Sequence, residues 1–180
     1  MDVNLTSVEI LDALSQKIKL FIERKEVSRR EIARISTIAE STVRSLINGR
    51  TNIELSTLTK LKLAFNIEVI DLIIRKTKLS DLSSVVIEKG LLKKDIIQEQ
   101  KKLGDRLDEL REFRGIDPQT LSIISYNIDY SDTIKYLKGK KNISLITIIK
   151  LANGLEVDLA TIFNYDGKMP SNKFVGNVKK

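Results

Sequence analysis

The stretch STVRSLINGRTNIEL runs from Ser41 to Leu55, and SDTIKYLKGKKNISL runs from Ser131 to Leu145. Each reads as a short helix, a basic corner with one glycine, an asparagine, and the start of a new apolar segment. The glycines are Gly49 and Gly139, and each is suited to stop a helix as the residue just past its end. Working outward, Leu55, Leu58, Leu61 and Phe65 recur at helical spacing and are matched by Leu145, Ile148, Leu151 and Leu155. Ile53 pairs with Ile143, Asn52 with Asn142, Ile67 with Val157, and Leu72 with Ile162.

Upstream, Ser28 and Glu31 have capping-box spacing and open a short helix with Ile32 and Ile35 inward. In the second copy Asp117 is an N-cap and Pro118 takes the first helical position, where its missing N–H costs nothing. Leu121 there stands for Ile32. Thr6 and Glu9 open a longer first helix with Val8, Leu11, Leu14, Ile18 and Phe21 on one face, ending near Lys25. Leu103, Leu107, Leu110 and Phe113 repeat that face. A fifth helix is expected from Val69 to about Lys76. The offset between copies is 89 residues before the second helix and 90 after it, so one extra residue falls in the turn Ile124–Ile128. A repeat of this length is a duplicated domain rather than a solenoid unit.

Between the copies lies a connector with two apolar stripes: Leu79, Leu82 and Val86, then Leu92, Ile96 and Leu103. Gly90 is expected to separate two helical pieces. Such stripes need something to bury against, so this is no Gly/Ser tether. The expected organisation is residues 1–76, connector 77–102, second domain 103–165, and a basic exposed tail 166–180.

The 180 residues contain neither Cys nor His. Disulfides, thiol or imidazole catalysis and Cys/His zinc sites are excluded within them. Acid pairs such as Asp105 with Asp108 or Glu109 sit on the polar face of a helix, offset by Arg106 and Arg111. No enzyme activity, metal or cofactor is expected. No apolar run approaches the ~18–20 residues of a bilayer span. The start MDVNLTSVEIL is acidic and broken by polar residues, unlike a signal peptide. A soluble, cytoplasmic, nucleoid-associated protein without membrane contact is the expectation. The net charge is +7. Lys and Arg outnumber Asp and Glu eleven to seven over residues 14–73 and eight to four over 74–102, but stand eight to nine over 103–163. A basic first copy permits a polyanionic partner.

The segments SRREIARISTIAESTVRSLINGRTNIELSTLTKLKLAFNIEVIDLI and DPQTLSIISYNIDYSDTIKYLKGKKNISLITIIKLANGLEVDLATIF resemble the lambda-repressor-like (Cro/C1, XRE) helix-turn-helix family. Ala33 stands where the family usually has Ala. Thr37 stands where its turn usually has Gly, and the second copy has Ser122 for the Ala. The resemblance implies an all-α chain of two helix-turn-helix domains joined by a helical connector. It implies a recognition helix, Ala39–Asn48, lying in the DNA major groove, which is ~12 Å wide and admits a helix. With Val43 and Leu46 inward, Glu40, Ser41, Arg44 and Ser45 face the bases. Arg44 suits guanine N7 and O6, and Glu40 suits the cytosine amine. Arg29, Arg30, Asn48, Arg50 and Asn52 are placed for phosphates.

In the second copy the candidates are Gln119, Tyr130, Ser131, Lys135, Lys138, Lys140 and Lys141, on a helix from Asp129 to Leu137 whose groove face also carries Ile134. Asp129 and Asp132 there would repel phosphates. Tyr126, Tyr130 and Tyr136 are expected to pack near the turn. The implied function is a sequence-specific transcriptional regulator, a repressor, acting on double-stranded DNA. A protein-interaction module of antitoxin or antirepressor type is the alternative. A homodimer through the connector or the second unit is compatible with either.

Overall fold

The computed structural model describes residues 7–49, 51–73 and 89–169, and their regular structure is helical throughout. Thr6, Arg50, the connector stripe Leu79–Leu82–Val86 and tail positions 170–180 lie outside the described residues. The first five helices are α1 (Ser7–Lys25), α2 (Arg29–Ser36), α3 (Glu40–Ile47), α4 (Leu55–Phe65) and α5 (Val69–Ile73). The next five are α6 (Lys89–Phe113), α7 (Pro118–Ile124), α8 (Tyr130–Leu137), α9 (Leu145–Gly154) and α10 (Leu159–Phe163).

On α1 the buried face is Ile10, Leu14, Ile18 and Phe21. Val8, expected on that face, is 66% exposed. Two residues along a helix is ~200° round its axis, so once Ile10 is inward Val8 points away. α2 starts as expected: the Ser28 hydroxyl accepts the Glu31 N–H at 3.1 Å. The reciprocal half of the box is replaced, because the Glu31 carboxylate takes Arg34 in a fork of 3.0 and 2.6 Å. α4 buries Leu55, Leu58, Leu61 and Phe65, and Phe65 stacks on Phe21 with ring centroids 4.0 Å apart. Each such side chain contributes about 1.5–3 kcal/mol by leaving water.

Packing follows the same plan twice. α1 packs on α3 and α5, α2 on α3 and α4, and α4 on α5. In the same relations, α6 packs on α8 and α10, α7 on α8 and α9, and α9 on α10. Two further packings, α4 on α6 and α5 on α10, join these sets, and the buried apolar residues other than Leu92 form one connected cluster.

α6 runs without interruption through residues 102 and 103, where the connector was expected to hand over to the second domain. Leu92 and Leu103 are buried and Ile96 is half-buried along it, so one stripe continues. Gly90 lies within the first turn of α6 and ends no helix on its C-terminal side. Phe113, expected inward, is 41% exposed at the last residue of α6, whereas Leu103, Leu107 and Leu110 are buried. α6 passes the corner after α8 backbone to backbone. A Cβ on Gly104 would stand 2.5 Å from the Gly139 nitrogen, and Gly139 itself has φ +61. Only glycines permit that approach.

Candidate nucleic-acid interface

α2 and α3 are joined by a turn in which Thr37 adopts φ 53, ψ 33, the left-handed conformation that glycine enters most readily. Its N–H bonds back to the α2 carbonyls, and the Ile38 N–H bonds to Ala33 at 3.1 Å. This sets α3 across α2. Val43 and Leu46 then face the core. Glu40, Ser41 and Arg44 are exposed and Ser45 half-exposed on α3, and Asn48 is exposed at its C-terminal end. Arg29 and Arg30 stand exposed at the α2 N-terminus, and Arg30 lies 3.8 Å from Glu40. Surface pairs of this length are weak, so Arg30 stays available to an anion.

The second helix pair differs where the extra residue falls. Its turn holds two left-handed residues, Tyr126 (φ 60) and Asn127 (φ 52), and the Ile128 N–H reaches Ser122 at 3.0 Å. Ser125 takes the buried place and Ile124 turns outward. Ile123, Ile124, Tyr126 and Tyr130 are all exposed. Tyr126 and Tyr130 are therefore not packed as expected, and Tyr136 alone of the three is half-buried. No polar signal marked Ile123 and Ile124; the extra residue in the turn was the available clue.

The acids of this pair are used by their own helices. Asp117 accepts the N–H groups of Gln119 (2.9 Å) and Thr120 (3.0 Å). The Thr120 hydroxyl is its strongest partner, and together these hold the Asp117 carboxyl below the usual range. Asp129 accepts the Asp132 N–H at 3.0 Å, and that bond lowers its pKa in the same way. Asp132 meets Lys141 at 2.5 Å and Lys135 at 3.7 Å. Gln119, Ser131, Lys135, Lys138 and Lys140 are exposed, while Lys141 is half-buried with its Nζ 5.7 Å from the Tyr136 ring centre.

The two quoted corners meet each other. Ile53-Glu54-Leu55 and Ile143-Ser144-Leu145 run antiparallel in a single bridge. The Leu55 N–H donates to Ile143 at 2.8 Å, and the Leu145 N–H donates to Ile53 at 2.7 Å. Asn142 Oδ1 accepts the Ser56 N–H at 3.1 Å, and Asn52 Oδ1 accepts the Ile146 N–H at 3.2 Å. Each of these four bonds has its symmetric counterpart. Each asparagine caps the opposite half's helix, which is a different employment from phosphate contact. Asn142 Nδ2 adds bonds to Glu54 and to the Ser56 hydroxyl. Sequence reading paired Asn52 with Asn142 but gave no sign that they touch across the molecule.

Among the described residues no cluster of His, Cys, Asp and Glu is arranged to hold a metal ion, and no helix is long and apolar enough to cross a membrane.

Residues 17–78 match the family described as the Cro/C1-type HTH DNA-binding domain. The matched stretch takes in the second half of α1 from Lys17, all of α2 to α5, and so the whole exposed face of α3. This defines the class: a helix-turn-helix DNA-binding domain of Cro/C1 type occupies this part of the chain. No curated protein and no solved structure matches the chain.

Proposed function

We propose that the protein is a sequence-specific regulator of transcription that binds double-stranded DNA as a repressor, with α3 in the major groove. The carrying observation is the outer face of α3, polar, exposed at Glu40, Ser41 and Arg44 and half-exposed at Ser45, beside the cationic start of α2. That arrangement supplies base-edge donors and acceptors over a phosphate anchor. A helix seated there would exclude other proteins from the same DNA, which is the simplest route to repression.

We read α6–α10 as a second, diverged copy of the helix-turn-helix fold. The repeated packing plan and the reciprocal seam support this. Joined corner to corner in one chain, the copies form an internal counterpart of a dimer. α3 and α8 would then address two half-sites of different sequence, because their exposed residues differ. Lys138, Lys140 and the Gln119 end of α7 are the phosphate candidates of the second copy.

Selection of binding sites from random duplex DNA tests the reading. A defined, asymmetric site should emerge. Arg44→Ala should cost about 1–3 kcal/mol on that site and relax preference at one base pair. If no sequence is enriched, or if Arg44→Ala leaves every base preference intact, α3 is not the reader. One observation favours a second reading for α7–α8 alone: exposed Ile123, Ile124, Tyr126 and Tyr130 suit a protein surface better than phosphates. Site selection with Lys138 and Lys140 replaced by Glu separates the two. A shortened site means α8 touches DNA, and an unchanged site means it does not.

A further inference from the structure

α4, α5, α6 and α10 enclose a cleft of about 520 Å³. Its walls come from both halves: Lys62, Glu68 and Ile70 on one side, Lys102, Arg106 and Lys168 on the other. Three of its acids are already engaged. Glu99, buried on α6, meets Lys62 at 3.0 Å and the Tyr165 hydroxyl at 2.9 Å. Glu68 also meets Lys62, at 2.8 Å. Asp158 accepts the Thr161 N–H at 2.6 Å. The lining balances four cations against four acids, but Lys102, Arg106 and Lys168 are cations that, among the described residues, no acid of the lining meets; Asp158 keeps its charge, and Asp166 also lines the cleft.

Arg106 is the telling residue. Its side chain is 2% exposed, a depth at which arginine is ordinarily held by a carboxylate in a two-pronged fork. Here Nε donates to the Thr161 carbonyl at 3.2 Å. Nη1 reaches Glu109, itself half-exposed, at 3.3 Å and lies 3.8 Å from the Met169 sulfur. The described bonds use Nε and Nη1 and spend nothing on Nη2. Lys102 sits 6.0 Å from the Tyr165 ring centre on the same wall.

We propose that this cleft binds a small multivalent anion, carrying phosphate or several carboxylates, with Arg106 as its buried anchor and Lys102 and Lys168 closing over it. Its two walls belong to the two halves, so an occupant ties them together. Any consequence for DNA affinity rests on the DNA-binding reading; the binding itself does not.

The test uses the full chain without DNA, so its failure leaves that reading standing. Backbone NMR spectra are recorded during separate titrations with sodium phosphate and sodium citrate at constant ionic strength. Saturable shifts should centre on Arg106, Thr161, Tyr165 and Lys168, and the probe that saturates first names the class. Lys168→Glu and Lys102→Glu should each weaken binding by about tenfold while keeping the wild-type unfolding midpoint. These two surface changes carry the test, because Arg106→Gln risks the fold. If neither probe saturates, or if shifts spread equally over α2 and the Lys138–Lys141 corner, the site does not exist. Charge reversals that leave the affinity unchanged would overturn it equally.

Discussion

Thr37 carries the conformational demand of the turn between α2 and α3. A β-branched residue at φ 53 is strained, by about 1–2 kcal/mol for an L-residue in this region. Among the described residues its buried hydroxyl also finds no hydrogen-bond partner. Thr37→Gly should therefore stabilise the fold by about 1 kcal/mol, after allowing for glycine's greater freedom when unfolded. Chemical denaturation would show it, and a lower midpoint would refute the strain account. Gly104→Ala should act the other way. Its new methyl meets backbone at Gly139 and Tyr136 rather than a side chain that can move, and overpacking of this kind costs about 1–3 kcal/mol. Lys17 gives a pH signature. Half-burial pushes its pKa down from 10.5 to about 8, despite the opposing charge of Asp71. The unfolded chain therefore takes up this proton at higher pH than the folded one, so this contribution to stability grows as pH rises from about 8 to 10.5 and is constant below. The stability gap between Lys17→Met and wild type should shrink over that window. A gap independent of pH would mean that the ammonium is fully solvated.

At the level of elements, the helices were legible because their apolar residues are Ile and Leu at strict helical spacing, punctuated by Ser28, Asp117, Gly49 and Gly139. The misplacements came from contacts between elements. Glu99 occupies the place on α6 that Ile10 holds on α1, and nothing local indicates that a carboxylate there will be buried. It is buried because Lys62 of α4 and the Tyr165 hydroxyl converge on it. Burial alone would lower the Lys62 pKa, but its bonds to Glu68 and Glu99 outweigh burial and hold it above the ordinary value. Lys62→Met should cost about 3 kcal/mol by leaving Glu99 uncompensated, and adding Glu99→Leu should recover most of it. A double variant no better than the single would show that the pair is not coupled. The seam was invisible for the same reason: Asn52 and Asn142 look like exposed polar corner residues until the opposite half is in place. Asn142→Ala removes the α4 cap and should cost about 0.5–2 kcal/mol, read as a lower denaturation midpoint.

For the whole molecule, the all-helical class was readable from the spacing of the apolar residues, whereas the mutual setting of the helices was not. It depends on α6 lying along α4 and on four backbone groups meeting at one bridge. The proposed DNA contact has a global signature. Log affinity should fall linearly with log salt, with slope about −0.9 for each phosphate neutralised. Replacing Lys138 and Lys140 together should reduce that slope by about two if both copies sit on the duplex; an unchanged slope confines contact to the first copy. The seam has one more consequence. A repressor assembled from separate subunits falls apart on dilution, and its occupancy then drops with the square of its abundance. Here the matching surfaces are covalently connected, so their encounter is first order. A handful of molecules per cell would be as fully paired as a test-tube solution.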